Sequence, residues 1–141
     1  MVPIDKQFTV QTTRRIEAID VTDRFTELPI ADGLVWVSSP HTTVGLLIGE
    51  ADPDMLADYE RFAAELVRPF EPFRHHRNNK PNAAAHIVSS LVGTSVLLPV
   101  SAGRLDLGTF QRIVLLELDG PHPARIVRSI RMPIATDTAE G

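Results

Sequence analysis

The sequence has no cysteine and no long apolar run, and both absences restrict what the protein can be. Without cysteine there is no disulfide scaffold, thiolate zinc site or cysteine nucleophile, so a metal could be held only by His, Asp, Glu or carbonyl oxygens. No apolar stretch reaches the roughly 20 residues that span a bilayer. Residues 1–10 also lack the basic start and apolar segment of a signal peptide. We therefore expect a cytoplasmic protein without a membrane partner.

The chain also has no excess of positive charge. Its formal net charge is -4, and acidic and basic residues are mixed along it, so it offers no basic face to a polyanion such as DNA. We expect no nucleic-acid partner. The P-loop, dinucleotide-binding and GxSxG motifs are missing too, and we expect no organic cofactor.

What is present is typical of one globular domain. The chain has 141 residues, of which 43% are apolar and 23% charged, and a chain of this length can bury one core. We predict a single domain over residues 1–141, with residues 132–141 forming a flexible tail.

Runs rich in β-branched residues alternate with two helical patterns, which predicts an α+β fold. Short turns between consecutive strands favour antiparallel pairing. The predicted strands are 8–13, 15–21, 34–39, 95–100, 112–118 and 125–131. The predicted helices are 53–67 and 83–92, with a short helix at 22–28 that Thr22 would cap.

The clearest helix is 53–67, because Asp52 can cap it and Pro53 suits its first position. Its apolar residues form one stripe at helical spacing, which we interpret as core. They are Met55, Leu56, Tyr59, Phe62, Ala63, Leu66 and Val67. In the helix 83–92, Asn82 is a candidate cap and Gly93 marks the end.

Histidines supply the first candidate site residues. The two-residue period of a strand puts His41 on the same side as Val35, Val37 and Ser39, so its ring would be partly buried. The polar segment 68–82 contains His75 and His76, and long ordered loops often carry function. His86 lies on the second helix. The imidazoles of His41, His76 and His86 could share a divalent metal site, and the alternative is that they are exposed or satisfied within the core.

Two polar features accompany the histidines. Glu117 shares a strand face with Ile113 and Leu115, and burying a carboxylate there requires a cation or several donors. Glu117 is thus a candidate functional carboxylate, or else an exposed side chain. Asn82, Ser89 and Ser90 share the helix face of His86, where they could bind an anion or form a hydrogen-bonded helix cap.

Several motifs, in order, resemble the YjbQ-like family over residues 10–131. They are HTTVG after a strand, GEADPD before a helix, the run from Asn82 with NxxxH, the GRLDLGTFQ turn and ELDGP at a strand end. The chain departs from the family pattern at Phe110, at His122 and in the NNKP segment, where tryptophan, arginine and acidic residues are common.

The resemblance implies antiparallel β-sandwich-like sheets flanked by two or three helices, assembled as a homotrimer with sites near the subunit interfaces. It implies a pocket lined by His41, His76 and His86, which would hold zinc or magnesium. It also implies catalytic roles for Glu117, His41 and His86. The implied substrate-binding residues are Asn82, Ser90, Thr109, Gln111, Asp119 and Arg125; Glu50 and Gly108 also match the pattern.

The family is associated with weak thiamine-phosphate synthase activity, the joining of hydroxymethylpyrimidine diphosphate to thiazole phosphate. The resemblance therefore implies an enzyme that acts on a phosphorylated small molecule. Two alternatives stay open: a metal-assisted phosphoester hydrolase, and a non-catalytic trimer that binds a metabolite or metal.

Overall fold

The protein, described by a computed structural model over residues 6–26, 28–75 and 81–135, contains two antiparallel sheets and two α-helices. A five-stranded sheet has the order β1-β8-β3-β5-β6, and a three-stranded sheet has the order β2-β7-β4. The strands are β1 (Lys6–Val10), β2 (Glu17–Asp20), β3 (Gly33–Ser38), β4 (Val44–Gly49), β5 (Ser95–Ser101), β6 (Arg104–Leu105), β7 (Arg112–Glu117) and β8 (Arg125–Pro133). The helices are α1 (Pro53–Glu65) and α2 (Ala83–Val92). The α+β prediction is confirmed.

The core lies in two layers on either side of the three-stranded sheet. Between the sheets, Val35 and Val37 of β3 pack with Leu46 of β4 and Leu115 of β7. On the other face of the three-stranded sheet, residues of α1 and α2 pack against β7. The order of layers is therefore five-stranded sheet, three-stranded sheet, helices.

Strand β4 was not predicted, and its position explains why. It lies between the helices and the five-stranded sheet, so Val44, Gly45 and Leu46 are all buried whichever way they point. A strand buried on both faces has no alternating pattern to reveal it. Gly45 is required here because a Cβ would collide with the side chain of Val92 on α2.

Helix α1 begins as predicted, with Asp52 Oδ1 accepting a hydrogen bond from the Met55 amide at 2.7 Å. The predicted apolar stripe is wrong at Phe62, whose side chain is 66% exposed. Helix α1 packs chiefly on β2, a strand of four residues. So narrow a contact covers Ala63 but leaves Phe62 outside.

Two local predictions need correction. The predicted helix at 22–28 is a single 3-10 turn, Thr22–Phe25, and Thr22 does not cap it. Instead the Thr22 hydroxyl donates to Asp20 and accepts from the Ile113 amide. Met132 and Pro133, assigned to a flexible tail, pair with Leu34 and Gly33 of β3 as part of β8. Residues 136–141 lie outside the described residues.

The middle of the outer face of the five-stranded sheet is apolar, and no helix of the described residues covers it. Trp36 is 40% exposed and pairs with Leu97 on one side and Ile130 on the other. Leu97 itself is 57% exposed. None of the described helices is long and apolar enough to cross a membrane.

Candidate functional site

A cavity of about 530 Å³ lies where the loop after β3 meets α2, and we call it the His41 cavity. Its lining includes two imidazoles, those of His41 and His86. It also includes the hydroxyl residues Ser39, Thr42, Ser89, Ser90 and Thr94. The structure thus places His41 and His86, which are 45 residues apart by number, at one opening.

Hydrogen bonds hold the loop and the helix to the two sheets. The Ser39 amide donates to Thr94 O at 2.9 Å, and its hydroxyl donates to Ile126 O at 2.8 Å. On α2, the buried Ser89 hydroxyl donates to Val44 O at 2.6 Å. The expected row of Val35, Val37 and Ser39 is buried, and His41 follows it as a half-buried side chain.

The ring of His41 is oriented by a backbone amide. Its Nε2 accepts a hydrogen bond from the Ile126 amide at 2.9 Å, so Nε2 carries a lone pair and the neutral ring carries its proton on Nδ1. Burial, with the positive charge of Arg125 nearby, lowers the pKa of His41 and favours this neutral form. The remaining polar group of the ring is therefore an N–H donor.

This arrangement does not fit the predicted metal ligand role of His41. A histidine that binds a metal keeps the lone pair on the ligating nitrogen and donates through the other nitrogen. If Nδ1 of His41 bound a cation, a protonated Nε2 would face the Ile126 N–H, which is itself a donor. His76 lies outside the described residues. Within them, no group of three His, Asp or Glu side chains could hold a metal ion.

His86 has a neighbour that the sequence did not indicate. The rings of His75 and His86 lie edge to face with centroids 5.0 Å apart. Two hydroxyls of the predicted polar patch on α2 already donate hydrogen bonds within the protein. Ser90 Oγ donates to His86 O at 2.9 Å, and Ser89 Oγ donates to Val44 O of β4. Of this patch, the imidazole of His86 is therefore the group that we consider available to contact a ligand.

Behind the His41 cavity lies a buried ion pair. Glu117 is 0% exposed and Arg125 4%. Arg125 donates Nε to Glu117 Oε2 at 2.7 Å and Nη2 to Oε1 at 2.6 Å. The Thr12 hydroxyl and the Asp119 amide complete the carboxylate's partners, at 2.8 Å and 2.9 Å. Here the burial of a carboxylate is compensated by a cation and several donors.

The same contacts limit what Glu117 can do. Burial alone would raise the pKa of Glu117, but the hydrogen bonds from Arg125, the Asp119 amide and Thr12 together lower it. The carboxylate has no exposed surface through which to exchange a proton with a ligand. Its geometry favours a positioning role: it holds Arg125, whose Nη2 also donates to Thr43 Oγ1 at 2.9 Å, and Thr43 is two residues from His41.

Asn82 and Asp119 come together at the start of α2. Asn82 occupies the N-cap position without capping, a correction to one interpretation of the sequence. Its Nδ2 donates instead to Asp119 Oδ2 at 3.0 Å. Arg15 lies 3.9 Å from the other Asp119 oxygen and donates to Pro81 O. These contacts fix the helix start to the end of β7.

Thr109 and Gln111 are not brought to the cavity within one chain. They are exposed in the turn before β7, where Gln111 Oε1 accepts from the Gly108 amide at 2.8 Å. The register of β7 with β4 puts Arg112 beside Gly49 and Glu117 beside Val44. At about 3.3 Å per residue, the two ends of β7 are roughly 17 Å apart.

Sequence reasoning missed His122 and Thr12. The rings of His41 and His122 lie 5.5 Å apart at 66°, and Thr12 Oγ1 accepts from the His122 amide at 2.8 Å. Thr12 is 105 residues from Glu117, and such a contact leaves no signal in one sequence. His122 did stand out as a departure in the DGPHP turn, which was the available clue.

The buried pair predicts a specific pattern of stability. Glu117→Gln leaves the Arg125 guanidinium buried without a counter-charge, and we expect it to lower the unfolding free energy by about 3–5 kcal/mol. The double variant Glu117→Met/Arg125→Met removes both charges and should lose less. Chemical denaturation measures this. Arg68→Met, which breaks the exposed pair with Glu65, is the control and should cost under about 1 kcal/mol. A double variant less stable than Glu117→Gln would contradict the prediction.

The lowered pKa of Glu117 predicts how that stability varies with pH. The pKa of an unfolded glutamate is about 4.3, and the folded value lies below it. The stabilisation by the carboxylate is therefore present above about pH 4.3 and lost as pH falls towards the folded pKa. The gap in unfolding free energy between wild type and Glu117→Gln should shrink between about pH 6 and pH 3. Asp20 and Glu60 also have lowered pKa values, but both proteins keep them, so their effects cancel. A gap that stays constant would refute the assignment.

The chain is similar to proteins from bacteria and archaea over most of its length. The family profile described as "UPF0047 protein YjbQ-like" matches residues 6–136. A UPF0047 protein of Archaeoglobus fulgidus is 42% identical over 122 residues, which cover 86% of this chain and 96% of that protein. UPF0047 protein YugU of Bacillus subtilis is 41% identical over 124 residues, covering 83% and 91%.

Solved structures agree with the sequence matches. The crystal structure of hypothetical protein APE1520 from Aeropyrum pernix K1 has a TM-score of 0.80 and 36% identity, and covers 92% of this chain and 98% of that one. A YbjQ-like protein of unknown function from Sulfolobus solfataricus has a TM-score of 0.83 and 28% identity, with coverage of 92% and 96%. The chain belongs to the YjbQ-like UPF0047 family.

Proposed function

We propose that the protein is an enzyme that binds a phosphorylated small molecule in the His41 cavity and transfers a group from it. The observation that carries the proposal is the chemistry of the lining. Among the described residues that line the cavity, none is Asp or Glu. A cavity with imidazole and hydroxyl groups and no carboxylate favours an anionic ligand over a cationic one.

The donors available to such a ligand can be named. Three serine hydroxyls of the lining donate to backbone carbonyls: Ser39, Ser89 and Ser90. The Thr42 and Thr94 hydroxyls have no hydrogen-bond partner among the described residues. With His41 Nδ1–H and the ring of His86, they are the groups that we propose bind phosphate oxygens.

The specific reaction we propose is the joining of hydroxymethylpyrimidine diphosphate to thiazole phosphate. In it the thiazole nitrogen forms a bond to the pyrimidine methylene carbon as the bond from that carbon to the diphosphate oxygen breaks. Pyrophosphate leaves, carrying both electrons of that bond. N–H donors aimed at the departing oxygens would stabilise the charge that develops on them.

The buried pair changes the role proposed for two residues. The resemblance implied a catalytic role for Glu117 and substrate binding by Arg125, yet each side chain is enclosed and bonded to the other. We propose that both act by holding Thr43 and the Ile126 amide, which position the loop and ring of His41. His86 is then the candidate for proton transfer.

A non-catalytic ligand-binding protein is the second candidate. The observation that favours it is the enclosure of Glu117, because no other carboxylate among the described residues lines the cavity to act as a general base. The hydrolase alternative depended on a water activated by a metal that His41, His76 and His86 would hold. The hydrogen bond from the Ile126 amide to His41 Nε2 does not fit His41 as a ligand of that metal.

One experiment separates the first two candidates. Untagged protein is incubated with both thiamine precursors in the presence and absence of added magnesium, and thiamine phosphate and pyrophosphate are measured by chromatography. We expect both products in equal amounts and a loss of about 100-fold in kcat for His86→Ala. Leu91→Ala, an exposed residue of the same helix, is the matched control and should retain activity. Ligand binding without either product would favour the binding protein.

We also propose that the chain assembles as a homotrimer with the apolar face of the five-stranded sheet in the subunit contact. Trp36 and Leu97 lie on that face without cover among the described residues. Contiguous exposed apolar surface of this kind commonly marks a protein interface. A second copy could also bring Thr109 and Gln111 to a cavity from which they are remote in their own chain.

Assembly is tested by light scattering during size-exclusion chromatography. We expect the mass of a trimer for the wild type and a smaller mass for Trp36→Glu, because a carboxylate in the contact would be buried without a partner. Phe62→Glu places the same charge on exposed α1, away from that face, and should remain trimeric. A monomeric wild-type protein would exclude the assembly.

A further inference from the structure

We propose that His122 is a ligand-contacting residue of the His41 cavity and that the rings of His41 and His122 donate two N–H groups to one phosphate of the ligand. His122 is half-buried and lies beside the cavity, next to the lining residue His41 and not in the lining itself. Its ring lies edge to face with that of His41 at 5.5 Å. The inference rests on the phosphorylated ligand of the proposed function, but it does not require that the ligand be turned over.

Backbone amides fix the tautomer of both rings. The Ile126 amide donates to Nε2 of His41 at 2.9 Å, and the Ala124 amide donates to Nδ1 of His122 at 3.0 Å. Each of these nitrogens must carry a lone pair, so in each neutral ring the proton is on the other nitrogen. The two rings therefore present His41 Nδ1–H and His122 Nε2–H.

Both amides come from one short segment, so the rings are positioned together. Ala124 immediately precedes β8 and Ile126 is its second residue. Thr12 fixes the turn that carries His122 through both backbone polar groups of His122. The His122 amide donates to Thr12 Oγ1, and the Thr12 amide donates to His122 O at 2.9 Å. Thr12 in turn is bonded to the buried Glu117.

This geometry selects an anion. With one lone pair of each ring already accepting a hydrogen bond, the nitrogens left for a ligand are donors, which bind oxyanions and repel cations. The charged or titratable groups that act on His41 are Arg125, His122, Glu117 and Arg128. Two of these are arginines, and the single carboxylate among them is paired with Arg125. The local charge therefore adds to the preference for an anion.

The first test is the affinity for inorganic pyrophosphate, measured by isothermal titration calorimetry. Loss of one hydrogen bond to a charged group predicts about tenfold weaker binding for His122→Ala. His122→Gln can place an amide N–H near the position of Nε2 and should recover part of that loss. Leu91→Ala, at an exposed position of α2 outside the cavity lining, is the control and should bind pyrophosphate as tightly as the wild type. Circular dichroism verifies that each variant is folded.

The second test reads the tautomers directly. Long-range proton–nitrogen correlation spectra of the histidine rings should show His41 protonated on Nδ1 and His122 on Nε2. Pyrophosphate should shift both of those nitrogens. A purely structural role of His122 would leave its Nε2 unmoved on addition of the anion, even if the His41 nitrogen shifts.

The outcomes separate this inference from the proposed function. Unchanged pyrophosphate affinity in folded His122→Ala, or a His41 proton on Nε2, overturns the inference even if the precursors are joined. Tenfold weaker binding together with the expected tautomers supports it even if no thiamine phosphate forms, and in that case the proposed reaction alone fails.

Discussion

The structure depends on one buried ion pair, Glu117 with Arg125. Removing two charges from water is costly, and the cost is offset only when each finds a counter-charge and hydrogen bonds to its remaining polar atoms. Here the carboxylate accepts from two guanidinium nitrogens, Nε and Nη2, a threonine hydroxyl and a backbone amide. The pair joins the three-stranded sheet, through Glu117 of β7, to the five-stranded sheet, through Arg125 of β8.

The pair also determines where the histidines lie. Its direct partners are Thr12, which holds the turn of His122, and Thr43, which follows the loop of His41. The residue after Arg125 supplies the amide that orients the His41 ring. Gly120 completes the packing, because a Cβ there would lie within 2.8 Å of Glu117 Cγ. A buried charge at this position therefore acts on the cavity through three separate segments of the chain.

Much of the fold could be predicted because it rests on local patterns. The cap at Asp52, the helix start at Pro53 and the inward row from Val35 to Ser39 are properties of neighbouring residues. Strand β4 could not be found in this way, since a strand buried on both faces has no alternation. Phe62 is an error of the other kind, because its spacing predicted a core residue but its side chain is exposed. How much of a helix is buried depends on the width of the element against which the helix packs.

The site was predictable only in part, for a related reason. His41, His86 and Glu117 could be selected by residue type and position. Their roles depend on contacts between residues that are far apart in the sequence, and these contacts assign Glu117 to a buried pair and leave Thr109 and Gln111 at the other end of β7. Thr12 has no distinguishing feature in the sequence at all, although its hydroxyl connects Glu117 to the turn of His122.

A set of histidines does not by itself specify a metal site. Whether a ring nitrogen binds a cation or an anion depends on the hydrogen bond that the other ring nitrogen makes within the protein. An acceptor there, such as a carbonyl or carboxylate, leaves a lone pair for a metal, whereas a donor leaves an N–H. In this chain the groups on the far side of His41 and His122 are backbone amides, which any residue type at positions 126 and 124 other than proline would supply. The preference for an anion that we propose for these two rings thus follows from the two backbone amides at the start of β8. The histidine pattern alone left a metal site as one of two alternatives, and the amides favour the oxyanion that we propose.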